Sequence, residues 1–459
     1  MGGFCNEVRC IMKKENNSAH NHNRGSFSGR IGYVLAVAGS AVGLGNIWRF
    51  PYLAAKYGGG IFLLIYILLT ASFGYVLIMS ETALGRMTRK SPVGAFEHFG
   101  KTKSFKIGGW LNAVIPMLIV PYYSTIGGWV IKYLVEYFKG NVQAVAEDGY
   151  FGNFISDSWQ VELWFLVFAA LVFIIILGGV QNGVERMSKI MMPVLFGLFL
   201  VLAVYIATLP GAQEGYKYIL KINPAGLADP KVWVFAFGQA FFSLSVAGNG
   251  SVIYGSYLPK DEDLPSSARN VALFDTIAAL LAAIVIIPAM AVILGDGIVG
   301  MKGGPGLMFV YLVNVFNAMP GGRIVGMIFY ICVLFAGVSS IVNLYEAPVA
   351  FLQEKLHTNR VLSVVIIGAV GGVIALCIQP WTSQWMDVVS IYICPLGALL
   401  AGIMFFWVMK KDTALAAVHE GRTAGKKDIS GWFYPLGKWV YCAASLAALI
   451  LGAIYGGIG

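Results

Sequence analysis

Eleven apolar stretches of the sequence are each long enough to cross the hydrocarbon core of a bilayer, which is about 30 Å thick. Numbered as segments 1 to 11, they have the approximate limits 31–54, 61–86, 109–138, 161–179, 188–209, 232–257, 268–295, 322–354, 360–379, 384–410 and 434–457. The chain is 58% hydrophobic and only 12% charged, about half the charged fraction of a typical soluble domain. A soluble enzyme and a disordered chain are therefore both excluded. The sequence predicts an all-α polytopic membrane protein with 11 transmembrane helices.

The positive charges between these segments predict how the chain is oriented. Residues 1–29 form a polar tail without the apolar core of a signal peptide, and Met12, followed by two lysines, is an alternative first residue. If this tail is cytoplasmic, the loops on its side of the membrane hold most of the 32 Lys and Arg residues. Cytoplasmic loops carry such an excess. We therefore expect a multi-pass protein of the cell membrane with its N-terminus in the cytoplasm and its C-terminus outside.

Segments 1 and 6 are each interrupted midway by a run of small residues. The two runs are Gly39-Ser-Ala-Val-Gly-Leu-Gly-Asn46 and Ser243-Leu-Ser-Val-Ala-Gly-Asn-Gly250. Each interrupted segment begins a block of five, so the second block enters the membrane upside down relative to the first. This arrangement is typical of inverted-repeat secondary transporters, whose site lies at the breaks. We predict one transporter domain over 30–457, with a 5+5 inverted repeat at about 31–209 and 232–410 and an eleventh helix at about 434–457.

The two interruptions can bind charged groups. Backbone without helical hydrogen bonds is tolerated at membrane depth only where it lines a cavity or binds something. Amides freed at Gly39, Gly43 and Gly45 can face an anion, and freed carbonyls can face a small cation. Asn46 adds a neutral oxygen suited to Na⁺, and Ser243 and Ser245 add hydroxyls at the facing break. The alternative is that these glycines only allow helices to pack closely.

Ionisable residues inside apolar segments are functional candidates, because each is costly without a partner. Four of them stand out: Arg49, Glu81, Asp275 and Asp387. Arg49 and Asp387 both fall near the outer side, where they can close over a site as a charge-assisted pair. For Glu81 we favour a role in packing that fixes nearby backbone, rather than substrate contact.

Several motifs together resemble one family. They are Gly39-Ser-Ala-Val-Gly-Leu-Gly-Asn-Ile-Trp-Arg-Phe-Pro51, Gly58-Gly-Gly60, Glu81-Thr-Ala-Leu-Gly-Arg86, Tyr122-Tyr123, Gly238-Gln-Ala-Phe-Phe-Ser-Leu-Ser245, Tyr254-Gly-Ser-Tyr257 and Ala336-Gly-Val-Ser-Ser340. In this order they resemble the neurotransmitter:sodium symporter family. The length of eleven helices is similar to its bacterial branch, whose prototype is the leucine transporter. The resemblance implies the fold of that transporter, with helices 1 and 6 broken.

The resemblance also implies two sodium sites. The residues of the first would be Ala41 through its carbonyl, Asn46, Ser243 and Asp275, together with the carboxylate of the substrate. The residues of the second would be Gly39, Val42 and Ala336 through their carbonyls, and Ser339 and Ser340 through their hydroxyls. We therefore expect two sodium ions.

A substrate pocket and two gates follow from the same resemblance. The substrate would contact Ala41, Gly43, Gly45, Ile119, Tyr123, Phe242, Ser243, Ser245, Gly248, Ser340 and Leu344, with Tyr123 and the amides near Gly43 and Gly45 at its carboxylate. Phe242 would be an aromatic lid beneath the outer gate, which Arg49 and Asp387 would form. The inner gate would be formed by Arg24 and Glu354, although the acidic residue of this gate is usually Asp in the family. Gly183 and Pro193 match the family spacing for local unwinding in segment 5. Two positions depart from the family: Phe27 replaces a Trp, and Gly248 replaces the Phe of the leucine transporter.

We predict a sodium-coupled symporter that imports amino acids by alternating access, with lipid, sodium and amino acid as its partners. Gly43 stands where monoamine carriers have Asp, which favours an amino acid. Ala279 stands where chloride-dependent relatives have Ser, so chloride should not be needed. The apolar residues predict a large hydrophobic or aromatic substrate, although a small residue such as alanine is the alternative.

A channel or an amino-acid sensor derived from a transporter is the competing functional class. An enzyme is not expected, because no Ser-His-Asp set, HExxH or P-loop lies in the segments. The six cysteines show no zinc spacing and are expected to be free thiols. No stripe of alternating basic and aromatic residues accompanies the net charge of +9, so nucleic acid is not an expected partner.

Overall fold

The structure is a computed structural model that describes residues 26–100, 103–244, 250–294, 303–422 and 428–455, with side chains in the second range from residue 106. The α-helices, numbered in chain order, are α1 (Arg30–Ala41), α2 (Phe50–Lys56), α3 (Gly60–Leu69), α4 (Tyr75–Thr88), α5 (Pro92–Phe99), α6 (Lys103–Lys139), α7 (Val142–Val145), α8 (Tyr150–Ser156), α9 (Ser158–Leu177), α10 (Arg186–Ala207), α11 (Ala212–Leu220), α12 (Pro230–Ser243), α13 (Gly250–Ser256), α14 (Leu264–Leu294), α15 (Leu312–Ala318), α16 (Gly322–Lys355), α17 (Arg360–Ile378), α18 (Thr382–Val388), α19 (Cys394–Ile403), α20 (Lys411–His419), α21 (Ser430–Pro435) and α22 (Cys442–Tyr455). Short π-helical turns are Gly45–Arg49, Thr70–Gly74, Val180–Glu185, Leu307–Tyr311, Val389–Ile393, Met404–Val408 and Leu436–Tyr441. The described chain is all-helical, as predicted.

Within the described ranges, eight continuous helical stretches are long and apolar enough to cross a membrane. They are Gly60–Thr88, Lys106–Lys139, Ser158–Leu177, Val180–Ala207, Leu264–Leu294, Gly322–Lys355, Arg360–Val408 and Ser430–Tyr455. A ninth span arises if the bent pair Arg30–Ala41 and Gly45–Lys56 is counted as one.

The predicted number of eleven spans is not reached by this count, for two reasons. Arg360–Val408 has 49 residues; at 1.5 Å per residue it would be about 74 Å long, more than twice the bilayer core. This stretch contains both predicted segments 9 and 10. Predicted segment 6 corresponds to α12 and α13, and residues 245–249 between them lie outside the described residues. Eleven spans therefore stay a prediction.

Segment 1 changes direction at its run of small residues. Helix α1 ends at Ala41, and Val42 leaves the helical region with ψ at 88°. The chain resumes in the turn Gly45–Arg49, and the two halves are bent by 55°. The amide of Asn46 donates to the carbonyl of Gly43 at 3.2 Å, which closes the short turn between them. The bend exposes backbone groups in the middle of the bundle, where the site is built.

The core is formed around two long helices, α6 and α16, which pack extensively against each other, and α1 contacts both α14 and α16. Helices α4 and α13 also approach closely through glycine. A Cβ on Gly255 would lie 2.5 Å from the carbonyl oxygen of Thr82, and one on Gly85 would lie 3.0 Å from the amide nitrogen of Ser256. Small residues allow membrane helices to touch backbone to backbone. The second half of segment 6 is therefore packed tightly against segment 2.

Candidate functional site

Three residues predicted for the first sodium site meet in the structure. Asn46 Nδ2 lies 2.8 Å from Ser243 Oγ and 2.8 Å from Asp275 Oδ1. The hydroxyl of Ser243 lies 2.7 and 2.9 Å from the two carboxylate oxygens of Asp275. All three side chains are buried. The cluster joins three segments and concentrates hard oxygen donors, the ligand type that a small cation prefers.

The amide of Asn46 is held at both ends. Its Oδ1 accepts a hydrogen bond from the Gly43 amide at 3.1 Å, while its Nδ2 faces the carboxylate. For Asn46 to offer its oxygen to a cation, the amide must turn about 180°, a change that leaves its shape almost unaltered. The side chain is thus positioned to serve either the backbone of the break or an ion.

Sequence reasoning missed Tyr66, which joins this cluster from segment 2. Its hydroxyl lies 3.0 Å from Asp275 Oδ2 and 3.0 Å from Ser243 Oγ. The side chain is fully buried. A hydroxyl that donates to a carboxylate orients it and stabilises its charge. Tyr66 lies within an apolar stretch, and nothing in that stretch distinguishes it from a core tyrosine.

A second residue that sequence reasoning missed is Gln239, on the first half of segment 6. Its Nε2 donates to the carbonyl of Gly45 at 3.2 Å, so it connects the two interrupted segments directly. Its Oε1 is buried without a hydrogen-bond partner in the described part of the chain. Gln239 falls within the motif that carries the family resemblance, which could have pointed to it.

The residues predicted for the second sodium site lie where segments 1 and 8 touch. A Cβ on Gly39 would be 3.2 Å from Ser339 Cβ. Ser339 Oγ donates to the carbonyl of Ala336 at 3.2 Å, and Ser340 Oγ donates to the carbonyl of Ser40 at 2.6 Å. Both hydroxyls are buried. They therefore lie beside the freed carbonyls at the end of α1.

A polar junction between the end of α1 and the start of α13 was also not predicted. Asn343 Nδ2 donates to Ser40 Oγ, and its Oδ1 is buried without a partner among the described residues. A Cβ on Gly250 would lie 3.1 Å from Asn343 Cγ and 3.2 Å from Ser40 Oγ. Segment 8 thus holds the end of α1 and the start of α13 at one point.

A cavity lies beside this cluster and is lined by residues of segments 1, 3, 6, 8 and 10. Its lining residues are Ala41, Gly43, Gly45, Asn46, Ile119, Tyr123, Phe242, Ser340, Leu344 and Cys394. All but Cys394 were predicted for the substrate or sodium sites. Of the other predicted substrate contacts, Ser243 lies in the adjoining cluster, and Ser245 and Gly248 lie outside the described residues.

The polar end of the cavity is formed by the first break and Tyr123. The hydroxyl of Tyr123 accepts a hydrogen bond from the Leu44 amide at 3.0 Å. A Cβ on Gly43 would lie 2.6 Å from Ser340 Oγ and 2.8 Å from the Tyr123 hydroxyl, so a side chain here needs its neighbours to move. A Cβ on Gly45 would likewise lie 2.6 Å from the Phe242 ring. At both positions the neighbouring side chains come so close to the backbone that only glycine fits without a shift of its neighbours.

Phe242 lines this cavity, and Arg49 lies against the face of its ring. The guanidinium carbon of Arg49 lies 4.6 Å from the centroid of the Phe242 ring. Its Nε and Nη2 are buried and make no hydrogen bond within the described ranges. Asp387 is exposed, and the predicted ion pair between it and Arg49 is not formed within 4.0 Å. Arg49 makes the cation–π contact with Phe242 instead of this ion pair. The role of Arg49 and Asp387 as an outer gate stays a prediction.

The predicted inner gate is described only on its acidic side. Glu354 Oε2 accepts a hydrogen bond from the Ser91 amide at 2.6 Å, whereas Arg24 lies outside the described residues. Phe27 packs edge-on against Tyr33, Tyr254 and Tyr257, with ring centroids 5.5 to 6.3 Å apart. An aromatic cluster therefore remains where the family has Trp.

An ion pair near the inner gate was missed, although Glu346 is an ionisable residue in an apolar segment. Both guanidinium nitrogens of Arg360 donate to the Glu346 carboxylate, at 2.9 and 2.7 Å, and Tyr257 donates to it at 2.9 Å. Bidentate pairs of this kind are the strong ones. The pair fixes the end of segment 8 to the start of segment 9.

Gly183 lies in a π-helical turn just before segment 5, whereas Pro193 lies inside the continuous helix α10, so local unwinding between them stays a prediction. Gly179 has φ at 79°, and a π-helical turn covers Val180–Glu185. In this turn Glu185 accepts hydrogen bonds from the Ser28 amide at 2.8 Å and from Lys189 at 2.6 Å. The turn is thereby attached to the chain just before α1.

Glu81 is buried, and neither carboxylate oxygen has a hydrogen-bond partner in the part of the chain that the structure describes. Among the described residues, Glu81 therefore makes no hydrogen bond by which it would fix nearby backbone. Its role remains a prediction. The cysteines at 332, 377, 394 and 442 are free thiols, as expected, and Cys5 and Cys10 lie outside the described residues.

Known proteins resemble this chain along most of its length. Residues 24–148 and 136–450 match the model of the sodium:neurotransmitter symporter family. The chain is 34% identical over 432 residues to an uncharacterised sodium-dependent transporter, YhdH, of Bacillus subtilis (strain 168), covering 89% of this chain and 94% of the relative. It is 31% identical over 302 residues to the sodium-dependent neutral amino acid transporter B(0)AT3 of Mus musculus, covering 58% of this chain and 48% of the relative. The crystal structure of MhsT in complex with L-phenylalanine matches with a TM-score of 0.83 and 32% identity, over 94% of this chain and 100% of that one.

Proposed function

This chain belongs to the sodium:neurotransmitter symporter family, and from that premise we propose that it imports large apolar or aromatic amino acids together with sodium. The family consists of sodium-dependent membrane transporters, so the protein is not an enzyme. The observation that carries the proposal is the cluster of Asn46, Ser243 and Asp275 beside the cavity at the two breaks. When an ion site and a substrate site adjoin each other, binding of the ion can favour binding of the substrate, and this is the basis of coupled transport.

The chemistry of the cavity supports a neutral amino acid. No charged side chain is among its described lining residues, so the side chain of a Lys, Arg, Asp or Glu substrate would be buried without a partner. Ile119, Phe242 and Leu344 supply apolar wall. Gly43 leaves the polar end free of a carboxylate, and a substrate carboxylate between the Tyr123 hydroxyl and the amides of the break would complete the first sodium site.

Two points support a substrate with a large side chain. Gly248 would leave about the volume of an aromatic ring compared with Phe, and MhsT, a similar structure, was solved with L-phenylalanine. The alternative is a pocket narrowed around Asn249, which would suit alanine. Binding of each of the twenty amino acids in competition with a labelled one decides between them.

Two sodium ions are proposed. The first would bind Asn46, Ser243, Asp275 and the carbonyl of Ala41. The second would bind Ser339 and Ser340 with the carbonyls of Gly39, Val42 and Ala336. The proximity of Gly39 to Ser339 and of Ser40 to Ser340 supports the second assignment.

Chloride is not required in this proposal. Asp275 places a fixed carboxylate in the buried cluster, with hydrogen bonds from Tyr66 and Ser243 to hold it. A bound anion would add a second negative charge at the same place, which is unfavourable in a buried site. Ala279 offers no hydroxyl to hold it.

Alternating access would open the cavity outward past Arg49 and Asp387 and inward past Arg24 and Glu354, with the N-terminus in the cytoplasm. The test is uptake of labelled tryptophan or leucine into proteoliposomes under an imposed sodium gradient. We expect accumulation that collapses with a sodium ionophore. Saturable binding without accumulation would instead favour the sensor, and currents without coupled uptake would favour the channel.

A further inference from the structure

Five residues near the junction of segments 10 and 11 form an aromatic and cationic cluster: Trp407, Lys411, Tyr434, Lys438 and Trp439. The Lys438 ammonium lies 4.5 Å from the centroid of the Trp407 ring, 5.7 Å from that of Trp439 and 5.9 Å from that of Tyr434. The two tryptophan rings meet edge to face at 4.9 Å, and Trp407 Nε1 donates to the Lys438 carbonyl at 3.1 Å. The cluster is thus an ordered unit built from two helical segments.

The cluster carries positive charge without an acidic partner. The ammonium of Lys411 lies 5.7 Å from the centroid of the Tyr434 ring, which Lys438 also approaches. Neither lysine has a carboxylate within 4.0 Å among the described residues. Lys410 and Lys411 are both exposed. The acidic residue nearest to them in the sequence is Asp412, which is also exposed. Two ammonium groups at one aromatic ring, without a carboxylate beside them, favour an external anion.

The position of the cluster is a boundary between apolar helix and polar loop. Trp407 is 47% exposed and lies one residue before the end of the apolar stretch Arg360–Val408. Trp439 is 62% exposed; it lies in the first half of the stretch Ser430–Tyr455 and meets the Trp407 ring at 4.9 Å. Tryptophan is enriched where such helices leave the hydrocarbon, because its ring is amphipathic. The hydroxyl of buried Tyr434 donates to the Phe406 carbonyl at 2.8 Å, so the ring that both ammonium groups approach is held in place.

We propose that this cluster binds the phosphate headgroup of an anionic phospholipid. Lys411 and Lys438, which both approach the Tyr434 ring, contact the phosphate, and Trp407 and Trp439 contact the glycerol backbone and the first carbons of the acyl chains. Basic residues directly beside a membrane helix attract anionic lipid. A zwitterionic lipid fits less well, because its own amine competes with the lysines for the phosphate.

The test uses the full chain in detergent and measures its melting temperature while phosphatidylglycerol or phosphatidylcholine is added. We expect a saturable rise with phosphatidylglycerol and little with phosphatidylcholine. Replacing both lysines (Lys411→Gln with Lys438→Gln) should raise the half-saturating phosphatidylglycerol concentration about thirtyfold, since each lysine near a lipid surface is worth about 1 kcal/mol. Lys411→Arg with Lys438→Arg, which keeps the charge and guards against a folding defect, should bind within about threefold of the wild type.

A matched control lies at the other end of segment 11. The ammonium of Lys231 is 6.0 Å from the centroid of the Tyr455 ring, a single lysine–tyrosine contact, and Lys231→Gln should leave the half-saturating concentration unchanged. Equal stabilisation by the two lipids, or an unchanged response of the double Gln variant, would overturn the proposal. Stabilisation by soluble glycerol phosphate at the same concentration would also overturn it, because the site would then recognise a free anion.

Discussion

The guanidinium of Arg49 lies over the face of the Phe242 ring, 4.6 Å from its centroid, instead of in an ion pair with Asp387. Two of its nitrogens are buried without a hydrogen bond in the described chain. A buried cation is costly unless something compensates it, and an aromatic face does so in part. The burial of the Arg49 guanidinium beside this cavity-lining residue therefore depends on the aromatic face of Phe242.

Phe242→Leu should weaken substrate binding by removing this aromatic face while keeping an apolar side chain. A desolvated cation–π contact is worth about 2 kcal/mol, so we expect KM for the transported amino acid to rise about tenfold or more. Uptake kinetics in proteoliposomes measure this change. Phe235, which stacks on Tyr57 at 4.3 Å, provides the control Phe235→Leu, and an equal KM effect in both variants would contradict a specific role for Phe242.

Tyr66→Phe should weaken sodium activation without altering the cavity. The change removes one hydroxyl that donates to Asp275 and contacts Ser243. A hydrogen bond to a charged group contributes about 1.5 to 3 kcal/mol, so the half-activating sodium concentration should rise at least about tenfold. At saturating sodium, KM for the amino acid should stay close to the wild-type value. Tyr441→Phe is the matched control, since that buried hydroxyl binds the Ala398 carbonyl away from the cluster.

Gly43→Asp should abolish binding of amino acids. An added carboxylate would face the carboxylate of the substrate in a desolvated pocket. Because any Cβ at this position would lie 2.6 Å from Ser340 Oγ, Gly43→Asn is needed as a control of equal size without the charge. Sodium-dependent binding of a labelled amino acid should be weak in the Asn variant and absent in the Asp variant. Retained affinity in Gly43→Asp would refute the amino-acid assignment.

Asp275→Ser should make transport depend on added chloride, or abolish it. The substitution removes the buried negative charge that offsets sodium, and a bound anion could then supply it. Wild-type uptake should be the same in chloride and gluconate media, whereas any activity of the variant should appear only in chloride. Asp148→Asn, at an exposed loop residue, should behave like the wild type. A wild-type protein that is inactive in gluconate would contradict chloride independence.

Gly248→Phe should reduce tryptophan binding by well over tenfold, about 1.4 kcal/mol or more, because the ring would fill the space left for a bulky side chain. Binding of alanine or leucine should be spared. Competition against a labelled amino acid measures all three affinities in one assay. If the wild type prefers glycine or alanine to every aromatic amino acid, the volume argument is wrong.

The sequence by itself determined the class of the protein and most of the cavity. Apolar runs of membrane-spanning length commit the chain to helices in a bilayer, because the backbone has no other way to satisfy its hydrogen bonds there. The bend of 55° after Ala41 follows a run of small residues that was visible in advance. Nine of the ten lining residues could be named beforehand, since they lie in or near local motifs that the family shares.

Only the tertiary structure decided which side chains from distant segments meet. Tyr66 reaches Asp275 across 209 positions, and Gln239 reaches Gly45 across 194. Tyr66 looks like any core tyrosine of its segment, and the family motif that contains Gln239 does not show which residue Gln239 contacts. Cys394 lines the cavity because segment 10 packs there. Arg49 faces Phe242, and not Asp387, through the bend of its own segment. Local composition determines where a helix forms and where it breaks, but side-chain contacts depend on how the helices rotate and pack against one another.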